Sequence, residues 1–140
     1  MATKVLILCT GNSCRSQMAE GFLRELGGAE YEAHSAGVAP SQVNPLAIQV
    51  MQEAGVDISG QRSKSVTEYL GQHFAYVITV CGNAAKNCPI FPGPSIRLHW
   101  PFDDPAEAEG TPEQRLEVFR RVRDEIAAQI RQWLAETRQR

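Results

Sequence analysis

Residues 5–16 read VLILCTGNSCRS, and they carry three structural signals in a row. Four apolar residues, 5–8, predict a short buried strand, and the Gly11-Asn12 pair predicts a sharp turn after it. Apolar residues then recur at helical spacing as far as Gly27: Met18, Ala19, Phe22, Leu23 and Leu26. A strand, a tight loop and a helix N-terminus form a site for an oxyanion. The backbone N–H groups of the loop converge, and the helix dipole adds about half a positive charge there.

Cys9 begins this loop and Arg15 closes it, so we expect their side chains on opposite sides of a bound anion. The helix dipole and the guanidinium both favour the thiolate form of Cys9, which makes it a nucleophile. Arg15 can hold two oxygens of a tetrahedral anion. A bare Cys-Arg pair also fits an inert cysteine beside a surface arginine, but the surrounding strand, turn and helix favour the nucleophile. The predicted anion-binding residues are Thr10, Gly11, Asn12, Ser13, Cys14, Arg15 and Ser16.

The composition is that of an ordinary globular chain. Its 140 residues are 43% hydrophobic and 21% charged, which predicts one domain over residues 1–140 with a core of its own. The formal net charge of −2 shows no overall excess of positive charge, so we expect no nucleic-acid role. No apolar leader follows the first four residues, and residues 5–8 are too few to cross a bilayer. We therefore expect a cytoplasmic protein without a membrane role.

Four cysteines admit a disulfide scaffold, a metal site or redox chemistry. The cytosol keeps thiols reduced, which argues against a scaffold. The spacings Cys9–Cys14 and Cys81–Cys88 lack the close pairs typical of zinc sites, so we expect no metal. Catalytic or redox-active cysteines remain the favoured interpretation.

Strand and helix signals alternate along the rest of the chain. Strands are predicted at 31–34, 75–80 and 96–100, the last with one covered face. Helices are predicted at 44–55, at 63–70 and from Thr111-Pro112 onward. The last helix has a predicted buried stripe: Phe119, Val122, Ile126, Ile130 and Trp133. This order predicts an α/β fold, a four-stranded parallel sheet with helices on both faces. Cys9, Cys81 and the stretch 99–104 each follow a strand, so we expect them at the carboxyl edge, where such sheets bind ligands.

Cys81 and Cys88 are separated by the residues GNAAKN. If the segment is helical, the two cysteines lie on one face about 10 Å apart along the axis. A disulfide needs Cα atoms about 5.5–6 Å apart, so a Cys81–Cys88 bond requires the helix to unwind. Two buried cysteines that fill gaps in the core are the alternative. A nucleophilic Cys9 at the same sheet edge favours a relay among the three sulfurs.

The loop CTGNSCRS with the following QMAEG resembles the phosphate loop of the low-molecular-weight tyrosine phosphatase superfamily. Within that superfamily the chain is more similar to the thioredoxin-coupled arsenate reductases. Further matching motifs follow in the same order: HSAG at 34–37, VNP at 43–45, TVCGNAAKNCP at 79–89 and FDDPA at 102–106. The resemblance implies a low-molecular-weight phosphatase-like fold, and it makes Cys9, Arg15, Cys81, Cys88 and Asp104 the catalytic residues.

By this resemblance Asp104, directly before Pro105, is the general acid and Asp103 a supporting neighbour. From the residues alone, the same Asp-Pro stretch is equally typical of a turn or helix cap. Ala106 and Glu107 stand where the phosphatases usually carry aromatic residues, which argues against a phosphotyrosine substrate. Cys14 matches a cysteine outside the relay, and we expect it to pack structurally.

The implied function is reduction of arsenate to arsenite by Cys9, Cys81 and Cys88 in arsenic detoxification, with phosphate and sulfate as analogues of arsenate. No Cys-x-x-Cys motif is present, so an external dithiol must regenerate the enzyme, and the resemblance favours thioredoxin. We expect a monomer without a cofactor. The alternatives are a phosphatase, in which water resolves the Cys9 adduct, and a redox sensor without turnover.

Some members of the superfamily hold a potassium ion on residues matching Asn12, Glu20 and Ser35. Their further acidic ligand is replaced here by Lys64, whose charge would compete with a cation. The sequence therefore predicts no potassium site.

Overall fold

The structure, a computed structural model, describes residues 2–138. Its strands form one parallel sheet in the order β2-β1-β3-β4. They are β1 (Thr3–Cys9), β2 (Tyr31–Gly37), β3 (Tyr76–Thr79) and β4 (Ile96–His99). The helices are α1 (Arg15–Gly27), α2 (Pro45–Glu53), α3 (Gly82–Lys86) and α4 (Pro112–Arg138). The predicted α/β class, a parallel sheet with helices on both faces, is confirmed. Of the predicted domain, residues 1, 139 and 140 lie outside the described part.

The core is built around β1. Val5, Leu6, Ile7 and Leu8 are each 0% exposed. Successive strand residues point to opposite sides, so both faces of the sheet are covered here. Helix α4 packs against α1 and α2, and its predicted apolar stripe, 119–133, is buried. Within the described residues, no helix has the length and apolar character needed to cross a bilayer.

Strand β2, predicted at 31–34, extends to Gly37. Two further elements differ in detail. The segment predicted as a helix at 63–70 forms a short 3₁₀ helix, Val66–Tyr69. Strand β4 lies at the edge of the sheet, and its predicted covered face is incomplete because Ile96 is 46% exposed. The start of α4 matches prediction: the backbone N–H groups of Thr111 and Gln114 each bond to the other's side chain, at 2.8 and 3.1 Å.

The segment with the second cysteine pair is less helical than the two-turn interpretation requires. Helix α3 has five residues, Cys81 is its N-cap, and Cys88 lies beyond its end. Asn87 closes the helix, and Pro89 cannot donate the backbone bond that would extend it. Cys81 and Cys88 are therefore not joined by a continuous two-turn helix.

Candidate active site

The loop between β1 and α1 wraps around the sulfur of Cys9. The Asn12 N–H donates to Cys9 Sγ at 3.2 Å, and Ser16 Oγ lies 2.8 Å from the same atom. Asn12 adopts φ +49°, the left-handed conformation that Asn tolerates better than most residues, and this turns the chain back over the sulfur. A Cβ atom at Gly37 would lie 2.5 Å from the Thr10 carbonyl oxygen, so β2 must end in glycine to admit the loop.

Above the sulfur lies a cavity of about 260 Å³. It is lined by Cys9, Thr10, Gly11, Ser13, Cys14, Arg15, Ser41, Asp104 and Ala106. The first hydrogen bond of α1 joins the Met18 N–H to the Cys14 carbonyl, at 2.9 Å. The N–H groups before Met18 therefore have no partner within the helix. They and the positive end of the helix dipole are features that favour an oxyanion in this cavity.

Arg15 and Asp104 face each other at the rim of the cavity. Arg15 Nη1 donates to the Phe102 carbonyl at 3.0 Å, and Nη2 lies 3.6 Å from Asp104 Oδ2. The other Asp104 oxygen accepts the Ala106 N–H at 3.0 Å, so the carboxyl group is fixed by the turn that follows. The second oxygen of Asp104 is therefore the one beside Arg15 at the cavity. Ala106 leaves this wall without an aromatic ring.

Cys81 lies against the loop, although 71 residues separate it from Thr10. Its sulfur is 3.3 Å from Thr10 Oγ1, and it accepts the Ala84 N–H at 3.4 Å as the cap of α3. Asn83 donates to the same Thr10 hydroxyl at 3.0 Å. The residue next to Cys9 is thus held by the segment that carries the second sulfur.

Cys88 is not part of this cluster. It is half-buried past the end of α3, and its thiol donates to the Pro89 carbonyl at 3.5 Å. Burial raises the pKa of the Cys88 thiol, and the charge of Arg97 opposes that shift. The structure therefore brings Cys9, Arg15 and Asp104 around the cavity, with Cys81 beside it. All four cysteines are free thiols.

Cys14 lies inside the loop, but its environment suppresses the thiolate. It is 4% exposed, and burial raises its pKa to about 12, although a hydrogen bond with Ser13 opposes the shift. A thiol of this kind is protonated at neutral pH. This environment fits the structural role expected for Cys14.

A buried polar network stands behind the loop. Asn12 Nδ2 donates to Ser16 Oγ at 2.8 Å and to Ser35 Oγ at 2.9 Å. Because Ser16 accepts from Asn12, its own hydrogen is available to the Cys9 sulfur. Ser35 in turn donates to the Glu20 carboxylate. The network orients the Ser16 hydroxyl, which lies within hydrogen-bond distance of the Cys9 sulfur.

Lys64 closes this network with a positive charge. Its Nζ lies 3.5 Å from Glu20 Oε1 and donates to the Arg62 carbonyl at 2.9 Å. Lys64 is 8% exposed and Glu20 4%, so the pair is buried. An ammonium beside the carboxylate does not fit a potassium ion at the same place. Elsewhere in the described residues, no group of three or more Cys, His, Asp or Glu side chains is placed to hold a metal.

We expect Lys64→Met to lower the free energy of unfolding by about 2 kcal/mol, because the Glu20 carboxylate loses one of its two cations and keeps only Arg24. Urea unfolding in sodium and potassium buffers measures the effect. The wild-type chain should be equally stable in both. Lys86→Met, which removes an exposed lysine, is the control and should change little. A stabilisation of the wild type by potassium alone would contradict the role given to Lys64.

Several contacts of the loop were not anticipated from the sequence. The chain after β2 runs beside it: the N–H groups of Ala39, Ser41 and Asn44 donate to the carbonyls of residues 10, 11 and 13. Gln17 donates both to the backbone and to the side chain of Asn12, at 3.0 and 2.9 Å. The QMAEG, HSAG and VNP motifs were the available signals, but they do not reveal which backbone groups pair.

Residues 4–140 match the sequence pattern of the low molecular weight phosphotyrosine protein phosphatase family. The chain is 51% identical over 127 residues to an arsenate reductase of Halalkalibacterium halodurans, covering 91% of each chain. A solved arsenate reductase in a phosphate-binding state superposes with a TM-score of 0.77 at 37% identity, over 96% of this chain and 98% of that one. A thioredoxin-dependent arsenate reductase of Corynebacterium glutamicum superposes with a TM-score of 0.72 at 30% identity, over 96% of this chain and 61% of that one.

Proposed function

The chain belongs to the low molecular weight phosphotyrosine protein phosphatase family, and we propose that it is a cytoplasmic arsenate reductase that uses thioredoxin to regenerate its thiols in arsenic detoxification. The observation that carries this proposal is the contact between Cys81 and Thr10, the neighbour of Cys9. A phosphatase needs no second sulfur at that place. The proposal follows the relatives, which are named arsenate reductases.

In the first step, arsenate occupies the cavity on the loop N–H groups and Arg15. The Cys9 thiolate forms a bond to arsenic, and one arsenate oxygen leaves with a proton from Asp104. Arg15 and the loop donors stabilise the charge that develops on the remaining oxygens. Asp104 can reach the leaving oxygen because it lines the same cavity as Cys9 and Arg15.

In the second step, the Cys81 thiolate attacks the Cys9 sulfur. A Cys9–Cys81 disulfide forms and the sulfur–arsenic bond breaks. Its electron pair stays on arsenic, which is reduced from As(V) to As(III) and leaves as arsenite. The place of Cys81 against Thr10 gives it a short path to Cys9.

In the third step, the Cys88 thiolate attacks the Cys81 sulfur. The Cys81–Cys88 bond forms, the Cys9–Cys81 bond breaks, and Cys9 leaves as a thiolate ready for another turnover. Because α3 lies between the two cysteines, it must unwind. Ile90 is 87% exposed beside Cys88, which favours recognition of this segment by the apolar surface of a protein dithiol such as thioredoxin.

The phosphatase alternative shares the first step, since phosphate resembles arsenate in shape and charge. Water would then resolve the Cys9 adduct in place of Cys81. Ala106 and the exposed Glu107 provide no aromatic wall for a phenolic ester. We therefore expect phosphatase activity to be weak and secondary.

The test is arsenite production from arsenate by the purified chain with thioredoxin, thioredoxin reductase and NADPH. We expect one NADPH consumed per arsenite formed, because each turnover transfers two electrons. Glutaredoxin with glutathione is the matched comparison. Turnover with glutaredoxin and none with thioredoxin would overturn the assignment of thioredoxin as the reductant, while the proposed chemistry of Cys9 in the loop would stand. Absence of arsenite with either reductant would overturn the proposed reaction.

A further inference from the structure

The carbonyl oxygen of Pro89 is shared by two side chains. The Cys88 thiol lies 3.5 Å from it, and Arg97 Nη2 donates to it at 2.8 Å. Arg97 belongs to β4, whereas Cys88 and Pro89 belong to the segment that must rearrange. The Arg97 guanidinium and the Cys88 thiol therefore contact the same carbonyl oxygen, where strand β4 meets the segment that carries the third sulfur of the proposed relay.

Arg97 lies in a part of the sequence with few other charges. Residues 69–102 contain no Asp or Glu, and Lys86 is the other Lys or Arg among them. Arg15, Arg62 and Arg120, by contrast, each form an ion pair with a carboxylate. The positive charge of Arg97 is thus directed to a backbone oxygen beside a thiol.

We propose that Arg97 is a positioning residue for Cys88. Arg97 holds the Pro89 carbonyl in the resting state and supplies the positive charge that stabilises the Cys88 thiolate. This inference rests on the proposed relay. Cys88 carries negative charge when it attacks Cys81, and again when a partner thiol breaks the Cys81–Cys88 disulfide at Cys81 and releases it. A nearby cation accelerates both steps, because it stabilises the attacking and the leaving thiolate.

The environment of Cys88 supports this role. Burial raises the pKa of the thiol, which keeps Cys88 protonated before the segment opens, and Arg97 opposes the shift. Lys86 lies on the rearranging segment itself, so its position changes when α3 unwinds. Arg97 is anchored in β4 and stays near the carboxyl half of the segment.

The inference is tested by alkylation of Cys88 with iodoacetamide as a function of pH. In a chain with Cys9→Ser, Cys14→Ser and Cys81→Ser, Cys88 is the remaining thiol. We expect Arg97→Met to raise the midpoint of the rate profile by about half to one pH unit, as expected for removal of one nearby charge. Arg97→Lys should restore most of the shift, and Lys86→Met is the matched control with little effect.

Thioredoxin-coupled turnover of the chain with all four cysteines gives a second measurement, which does not depend on folding of the triple variant. Arg97→Met should slow turnover several-fold near neutral pH, with recovery as the pH rises, and Arg97→Lys should remain close to wild type. If both Arg97 variants slow turnover equally and neither moves the alkylation midpoint, Arg97 is only structural and the inference is overturned. Normal turnover by Cys88→Ser would instead overturn the proposed relay itself.

Discussion

Cys81→Ser is expected to abolish arsenate reduction while leaving hydrolysis of a phosphate monoester intact. The variant still binds the anion and forms the Cys9 adduct, because Cys9, Arg15 and Asp104 are unchanged. It lacks the sulfur that removes Cys9 from arsenic, so no electron pair reaches As(V). We expect multiple-turnover arsenite production to fall by at least about a thousandfold. Hydrolysis of p-nitrophenyl phosphate should stay within about threefold of wild type, since water alone completes that reaction.

Cys88→Ser is the matched control for this prediction. It retains Cys9 and Cys81, so each chain can release one arsenite and then stop as the Cys9–Cys81 disulfide. A rapid-quench measurement should therefore show a burst of one arsenite per chain for Cys88→Ser and none for Cys81→Ser. Equal bursts in both variants would contradict the order of the sulfurs. Sustained reduction by Cys81→Ser would remove Cys81 from the reaction.

The loop and the sheet were predictable because their signals are local. An apolar run, a Gly-Asn turn and an amphipathic helix within 5–27 define the oxyanion cradle without any distant residue. The parallel sheet follows from the alternation of strands and helices, and it places the ends of β1 and β3 at one edge. Asp104 was placed at the rim by the same logic, as a residue that follows β4.

The contacts between distant segments were not predictable in this way. The sequence puts Cys81 at the same sheet edge as Cys9, but the bonds of Thr10 to Cys81 and Asn83 depend on how α3 lies on the loop. The spacing of the two cysteines described a helix from Cys81 to Cys88 only as a condition, and the structure gives a shorter one, with Cys81 as its N-cap and Cys88 beyond its end. The bond of Arg97 to the Pro89 carbonyl joins an edge strand to a loop, and no periodic pattern reports such a contact.

Cys9→Ser is expected to eliminate both arsenate reduction and phosphate-ester hydrolysis, by a factor on the order of 10⁴ or more, since no later step can occur without the first adduct. The loop of residues 9–16 should keep its structure. Serine oxygen can accept the Asn12 N–H and bond to Ser16 as the sulfur does. Phosphate binding should be unchanged or tighter, because a serine hydroxyl at position 9 adds no negative charge beside the dianion. Calorimetric titration with phosphate, beside activity assays and thermal unfolding, separates these effects.

Cys14→Ser is the informative comparison, because it alters the other sulfur of the same loop. The high pKa of Cys14 excludes it as a nucleophile at neutral pH, so this variant should retain activity within about tenfold of wild type, with its main cost in stability. The opposite pattern, with Cys14→Ser inactive and Cys9→Ser active, would transfer the nucleophile to Cys14. Loss of phosphate binding in a folded Cys9→Ser chain would mean that the anion is held chiefly by the sulfur. It would then not be held by the loop N–H groups and Arg15, and the cavity at the end of β1 would lose its interpretation as a preformed oxyanion site.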